Sequence, residues 1–277
     1  MGTSAASNGP GRGVPLDPPW LDDLEPGGHF PREEENADNK AVEERPAEFP
    51  QIQPVAPSAR FSSARRNIGE YVRSGSKDSL RRGLGHYSKK GMGGASSLSR
   101  RMRFSAQVGV NLFGMLDSLR KHPDFELGKT LSALREQGAD AAQCIHAVIE
   151  QVCPRGGSLD EISARDSVTT VLSEYLDKHP NMDIEHLSDD QIWELTGSYL
   201  GYEVFNRIFM DIGQIFEKSD ISIADKISKY NDMRDFIQSE VSVQLNAIRE
   251  TETQIADMQE LLQSTIQKTF SVYEVEV

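Results

Sequence analysis

Apolar residues recur at helical spacing along most of the chain beyond residue 60. Residues 189–218 carry more apolar positions than a surface helix needs, so they are predicted to form the central core element. Residues 222–270 contain no Gly or Pro, and their apolar positions lie three, four or seven apart. This pattern predicts either one long helix with a coiled-coil-like seam or two helices joined by a polar hinge near residues 250–253. The final residues, 271–277, alternate apolar and polar side chains and are predicted to be extended.

Capping signals place further helix boundaries. Ser158 and Ser188 each precede an acid or amide by three residues, the spacing at which the two side chains satisfy backbone donors reciprocally. Helices are therefore predicted to begin at both serines. Lys-His-Pro at 121–123 and 178–180 predicts helix ends, because cations suit the negative end of the helix dipole and proline blocks continuation. Between these signals, helices are predicted near residues 126–137, 140–153 and 159–178.

The first 58 residues have a different composition. They hold ten of the 13 prolines, with eleven acidic against four basic side chains. Such a segment buries too little apolar surface to offset its ordering entropy, so residues 1–58 are predicted to be a disordered, acidic, Pro-rich tail. The predicted fold class is therefore mainly α: a helical bundle with a long C-terminal helix, preceded by this tail.

One apolar island interrupts the tail at residues 14–24. An exposed apolar cluster with flanking acids is unfavourable unless something covers it, which predicts a linear docking motif. Its candidate partner-binding residues are Val14, Pro15, Trp20, Leu21 and Leu24. The alternative is that Trp20 folds back onto its own domain.

Charge divides the rest of the chain. Residues 59–103 hold twelve basic and two acidic side chains, whereas residues 104–277 hold 14 basic and 30 acidic ones. We therefore predict three regions: the tail at 1–58, a basic, Gly-interrupted helical segment at 59–103, and an acidic α-helical domain at 104–277 that ends in the long C-terminal helix. In the basic segment, apolar side chains at helical spacing mark one face: Phe61, Ala64, Ile68 and Val72.

The basic segment is the strongest candidate for binding. Cations interleaved with aromatic residues suit a nucleic-acid backbone with occasional base stacking. An acidic protein partner, or the acidic domain of the same chain, fits the charge as well. The candidate contact residues are nine arginines: Arg60, Arg65, Arg66, Arg73, Arg81, Arg82, Arg100, Arg101 and Arg103.

Catalytic chemistry has no support in the sequence. Cys144 and His146 are two residues apart, which sends them to different helix faces, and no metal-ligand spacing or phosphate-binding loop is present. The protein is predicted not to be an enzyme and to hold no metal or cofactor. Two cysteines outside any CxxC pair, and the lack of a long apolar run, predict a cytoplasmic protein that does not contact a membrane.

Family-specific strings are scattered over residues 1–166. They read Met-Gly-Thr-Ser at 1–4, Gly-Pro-Gly at 9–11, Trp-Leu at 20–21, Ala-Arg-Arg-Asn at 64–67, Arg-Arg-Met at 100–102 and Val-Cys-Pro-Arg-Gly-Gly-Ser-Leu-Asp-Glu at 152–161. Together they resemble the QatB family, the small non-enzymatic component of the bacterial Qat anti-phage defence system. The resemblance implies partners from that system: a QueC-like enzyme of the deazaguanine type, an ATPase and a TatD-like nuclease.

The resemblance also gives Gly2 a role. QueC-like enzymes activate a carboxylate with ATP, and the resemblance implies that such an enzyme joins a deazaguanine to the protein's N-terminus. Removal of Met1 would leave an α-amine with a pKa of about 8, partly neutral and nucleophilic at cellular pH. The expected function is therefore an adaptor whose Gly2 is modified by the QueC-like partner. The alternative is a nucleic-acid-binding module that uses residues 60–103.

Overall fold

The computed structural model describes residues 59–277, apart from 123, 154–156, 180–183 and 252–256. Every regular element in this part of the chain is a helix, which confirms the mainly α prediction. The described α-helices are α1 (Ser62–Ser74), α2 (Lys77–His86), α3 (Ala95–Arg101), α4 (Arg103–Lys121), α5 (Glu126–Glu136), α6 (Ala141–Val152), α7 (Leu159–Lys178), α8 (Asp189–Ile212), α9 (Gln214–Lys218), α10 (Ile223–Thr251) and α11 (Met258–Glu274). A π-helical turn, Tyr87–Met92, follows α2, and a 3-10 turn, Ile184–His186, precedes α8.

The predicted helix boundaries are confirmed. Ser158 and Ser188 both form capping boxes. In each, the serine hydroxyl accepts from the backbone N–H three residues later, and the side chain of that later residue accepts from the backbone N–H of the serine. A third capping box, at Asp140 before α6, was not predicted. Helices α4 and α7 end at Lys121 and Lys178, as the Lys-His-Pro signals require.

The long C-terminal apolar pattern forms two helices rather than one. Helix α10 extends to Thr251, and α11 begins at Met258 after Asp257, which has extended backbone angles; this confirms the two-helix alternative. Residues 252 and 253 of the predicted hinge lie outside the described residues. The extended structure predicted for residues 271–277 is wrong, because α11 continues through Glu274. Tyr273 is 2% exposed and lies in the core beside Phe270, three residues earlier, so burial on one helical face outweighs the local alternation.

Helix α8 lies between two apolar clusters and contributes to both. One cluster contains residues of α1, α2, α3, α8, α10 and α11. The other contains residues of α4, α5, α6, α7 and α8. The predicted role of residues 189–218 as the central core element is confirmed. The predicted apolar face of α1 is also buried, at 1% exposure or less for each of its residues: Phe61, Ala64, Ile68 and Val72. The basic segment therefore shares a core with the acidic helices.

None of the described helices combines the length and the apolar character needed to cross a lipid bilayer.

Candidate anion-binding surfaces of the basic segment

The predicted site residues fall into two sets. Gly2 and the docking-motif residues lie outside the described residues, so their roles stay predictions. These residues are Gly2, Val14, Pro15, Trp20, Leu21 and Leu24. All nine arginines of the basic segment are described, and the structure gives them different environments.

Three of the arginines contact neighbouring acidic or carbonyl groups. The Nη2 atom of Arg65 donates to the backbone carbonyl of Asp211 over 3.3 Å. Arg73 forms an ion pair of 2.8 Å with Glu70 on its own helix. Arg81 lies between two carboxylates, Glu240 at 3.8 Å and Glu276 at 3.7 Å. Arg65 and Arg81 therefore join the basic segment to the acidic helices, as the intramolecular alternative requires.

Other cations face solvent around one histidine. Arg66, Arg82, Lys89 and Lys90 surround His86 from α1, α2 and the π-helical turn, and we call these five residues the cationic face. Its four cationic side chains are exposed. Lys89 donates to the backbone carbonyls of Glu274 and Val277. In the part of the chain that the structure describes, Arg66, Arg82 and Lys90 form no ion pair.

The pKa of His86 reflects its burial and the positive charge of the cationic face. Burial first, and then the four surrounding cations, lower the pKa of the imidazole below its ordinary value. Its Nδ1 atom is buried and makes no hydrogen bond. A neutral imidazole among four cations leaves the face strongly positive, which favours contact with an anionic group. The candidate arginine set did not include His86, Lys89 or Lys90, although their close spacing in the sequence could have indicated them.

The aromatic residues of the basic segment are not available to stack on bases. Phe61 is 1% exposed, and Tyr71 and Tyr87 have no exposed surface. Phe61 and Tyr87 stack on each other with centroids 5.4 Å apart inside the core. The cationic face therefore offers charge without the aromatic platform that single-strand binding proteins use.

A second group of arginines lies inward, where the basic segment meets α8. The hydroxyl of Tyr87 donates to the carboxylate of Asp211 over 2.7 Å. Arg207, one turn before Asp211, forms a 2.9 Å ion pair with Asp160 of α7. Arg60 lies over the ring of Phe61 at 4.6 Å. We call Arg60, Arg101 and Arg207, with Asp211 and Tyr87, the arginine cluster; its members act on one another electrostatically.

The remaining two predicted arginines lie where α3 meets α4. Arg100 is exposed, and Arg103 is half-buried at the first position of α4. Arg207 and Asp211 were missed in the sequence. Their signal was an oppositely charged pair at i, i+4 within a helix otherwise rich in apolar residues.

One buried carboxylate lies elsewhere in α8. Glu203 is 2% exposed and accepts hydrogen bonds from three serine hydroxyls, those of Ser105, Ser163 and Ser167, over 2.6–2.9 Å. Burial raises the pKa of Glu203, although the three hydroxyls oppose the change. The serines come from α4 and α7, so this carboxylate holds three helices together.

A pocket of about 250 Å³ lies between α8 and α10. Trp193, Gly197 and Leu245 form its apolar part. The Arg249 guanidinium lies over the Trp193 ring at 4.9 Å and is held there by Asp189 at 3.0 Å. The aromatic face is therefore covered by a cation of the same chain.

The described residues contain no group of three His, Cys, Asp or Glu side chains that could hold a metal ion. Cys144 is half-buried and Cys153 is buried. Burial raises the pKa of the Cys153 thiol to about 11, which suits a structural cysteine rather than a nucleophile.

In the part of the chain that the structure describes, these features define a helical protein with basic helices packed on acidic ones and a cationic face turned outward. The family model described as Qat anti-phage system associated protein QatB matches residues 93–273. The chain therefore belongs to the QatB family and is a component of the Qat anti-phage defence system, with partners from that system. Comparison with curated proteins and with solved structures gave no match.

Proposed function

We propose that this Qat component is a non-enzymatic adaptor whose N-terminal Gly2 is modified by a QueC-like enzyme. Membership of the QatB family is the observation that carries the proposal. The strings at the start of the chain, Met-Gly-Thr-Ser and Gly-Pro-Gly, add support because they resemble the family where the modification would occur. An ATPase and a TatD-like nuclease complete the partners that the resemblance implies.

Gly2 has the chemistry that such a reaction needs. After Met1 is removed, the α-amine attacks the acyl carbon of a carboxylate that ATP has activated as its adenylate. An amide bond forms, the acyl–phosphate bond breaks, AMP leaves, and the amine gives up a proton. A glycine has no Cβ and fits a narrow active site. The 56 residues between Gly2 and Ala59 span about 200 Å at most, which allows the terminus to reach an enzyme bound elsewhere.

The apolar island at residues 14–24 supplies the docking contact in this proposal. Trp20 and Leu21 would anchor the tail to the modifying enzyme, while the helical body holds further partners. The contacts of Arg65 and Arg81 with the acidic helices lie within the helical body, so they do not depend on residues 1–24. Truncation of residues 1–24 is therefore expected to abolish modification or capture of the partner enzyme without changing helicity.

Mass spectrometry tests the proposal directly. The full chain is produced with and without the neighbouring gene for the QueC-like enzyme, and the N-terminal peptide is sequenced by fragmentation. We expect a mass increase on Gly2 that requires the enzyme and disappears in Gly2→Leu, which retains Met1. Gly9→Leu is the matched control and should remain modified. An unmodified Gly2 in the presence of the active enzyme would overturn the proposal.

Nucleic-acid binding is the second candidate function, favoured by the exposed cations of the cationic face. Arg66, Arg82 and Lys90 have no acidic partner among the described residues, and phosphate contacts need charge rather than stacking. Fluorescence anisotropy with duplex DNA and with RNA should then show affinity that falls steeply with salt. The variant R66E/R82E/K90E should lose binding, whereas Arg73→Glu, on another part of α1, should retain it. Absence of salt-dependent binding would remove this candidate.

A further inference from the structure

The arginine cluster contains buried N–H groups without acceptors. The Nε and Nη1 atoms of Arg60 and the Nε atom of Arg207 are buried and make no hydrogen bond. Buried charged donors are normally paired, because an unpaired one costs the free energy of its lost hydration. Three such nitrogens on two neighbouring guanidinium groups therefore indicate an acceptor that comes from outside these residues.

The carboxylates of the cluster are already engaged. The Oδ2 atom of Asp211 accepts from Tyr87 at 2.7 Å and lies 3.8 Å from Arg207 Nε, beyond hydrogen-bond distance. Burial and the charge of Asp211 raise the pKa of Tyr87, so its hydroxyl stays protonated and keeps donating. Asp160 accepts from the Nη1 atom of Arg207. Neither carboxylate satisfies the donors of Arg60.

Cations also outnumber carboxylates among the described residues of this region. Three guanidinium groups, those of Arg60, Arg65 and Arg207, lie around two carboxylates, Asp160 and Asp211. Burial and then repulsion from Arg101 lower the pKa of Arg60. Although burial opposes the change, Tyr87, Asp211 and Asp160 raise the pKa of Arg207, so the uncompensated positive charge lies at Arg60. A bound anion would relieve this repulsion.

The surplus fits a phosphate group better than a carboxylate. A phosphate monoester or inorganic phosphate carries about 1.5 to 2 negative charges near pH 7 and offers at least three terminal oxygens. A carboxylate carries one charge on two oxygens. Guanidinium N–H groups form paired, charge-assisted hydrogen bonds with phosphate oxygens. Arg60 lies two residues before the first residue of α1 and is half-buried, so its side chain can rotate off Phe61 without moving the helix.

We propose that Arg60, Arg101 and Arg207 form a phosphate-binding site where the basic segment meets α8. Arg60 closes the site and donates from Nε and Nη1, Arg207 donates from Nε, and Arg101 supplies positive charge. Asp211 and Tyr87 fix the inner side of the site. The site differs from the cationic face, and it does not depend on whether Gly2 is modified. The phosphate comes either from inorganic phosphate or from a nucleotide.

Calorimetry on the full chain tests the proposal with three probes at constant ionic strength: inorganic phosphate, AMP and acetate. We expect saturable binding of phosphate or AMP and none of acetate. Tighter binding of AMP by tenfold or more identifies a nucleotide as the source, and equal affinities identify free phosphate. Binding of acetate as strong as that of phosphate, or absence of binding by both phosphate probes, would overturn the proposal.

Substitutions locate the site. Arg60→Met should weaken phosphate binding at least tenfold, whereas Arg60→Lys should retain part of it through its remaining charge. Arg73→Met, an equal loss of charge at an exposed position of α1 outside the cationic face, is the matched control and should bind as the unaltered chain does. Circular dichroism confirms that each variant is folded. Unchanged affinity in a folded Arg60→Met variant would show that these buried nitrogens serve structure alone.

Discussion

Gly201 of α8 lies against the main chain of Gln238 of α10. A Cβ atom added at Gly201 would lie 2.8 Å from the Cα atom of Gln238 and 3.0 Å from its Cγ atom. Atoms of this kind do not approach so closely, so a side chain here would force the two helices apart. The packing between α8 and α10, which builds the largest apolar cluster, therefore depends on a residue without a Cβ.

Gly201→Ala should lower the free energy of unfolding by about 1–3 kcal/mol, because overpacking between two helices cannot relax through a flexible side chain. Gly114→Ala is the matched control, since a Cβ at Gly114 of α4 would meet nothing within 4 Å. That change should raise stability by about 0.5–1 kcal/mol through helix propensity. Urea unfolding followed by circular dichroism measures both. Similar effects of the two changes would contradict the close approach.

Glu203→Ala should destabilise the fold by about 2–4 kcal/mol, because three serine hydroxyls lose their shared acceptor and a cavity opens. Glu194→Ala, an exposed glutamate on the same helix, should change stability by less than about 0.5 kcal/mol. Urea unfolding of both variants at neutral pH compares them. If Glu203→Ala lowered the free energy of unfolding no more than Glu194→Ala, the hydrogen bonds from the three serines to Glu203 would not stabilise the fold.

The pH dependence of stability should change in Glu203→Gln. Because burial raises the pKa of Glu203, the folded chain holds this proton more tightly than the unfolded chain does. The contribution of Glu203 to stability is then complete below the unfolded pKa of about 4.3 and is lost as the pH rises through the folded pKa. The stability of the unaltered chain relative to Glu203→Gln should fall as the pH rises above about 4. Urea unfolding at a series of pH values measures this difference in stability, and an increase with pH would mean that the serine hydrogen bonds outweigh desolvation.

Cys153 should resist alkylation while Cys144 reacts. With a pKa of about 11 for Cys153, on the order of one thiol in a few thousand is ionised near pH 7.5, and its side chain is buried. Iodoacetamide labelling over time, read by peptide mass spectrometry, should show Cys144 modified well before Cys153. In guanidinium chloride the two rates should become equal. Equal rates in the folded chain would contradict the burial of Cys153.

Arg249→Ala should expose the ring of Trp193. In a Trp20→Phe background, the emission of Trp193 should shift to longer wavelength because water replaces the guanidinium that covers the indole. Arg234→Ala on the same helix is the matched control, since Arg234 lies over Tyr202 instead. An unchanged spectrum in Arg249→Ala would show that Arg249 does not cover the ring in solution.

Helix boundaries were predictable because they depend on residues close together in the sequence. The capping boxes at Ser158 and Ser188 each need two side chains three residues apart, and both formed as predicted. The structure of the terminal residues was predicted wrongly. Alternation at 271–277 is a local signal for a strand, but the burial of Tyr273 is decided by α2 and α10, which pack against α11 from distant parts of the chain.

The arginine environments were not predictable from charge alone. Arg66 and Arg65 are neighbours in sequence, yet one faces solvent and the other donates to Asp211, 146 residues away. The arginine cluster likewise depends on Tyr87 meeting Asp211, 124 residues apart. Helical periodicity gives the direction of each side chain relative to its own helix, whereas the group it meets follows from the packing of α8 against the basic segment.

The π-helical turn at Tyr87–Met92 sets the rotational phase of the last turn before Gly93 and Gly94, whose positive φ angles end the helix. A turn closed by i to i+5 bonds holds one more residue than an α-helical turn, and each residue rotates the chain by about 100°. Loss of one residue here would rotate Met92 by about 100° relative to α2 and separate its sulfur from Arg101, whose Nη1 atom lies 4.0 Å away. Gly91 adds a second constraint, because a Cβ there would lie 2.5 Å from the Phe61 ring. This segment should therefore accept substitutions at several positions but neither insertions nor deletions.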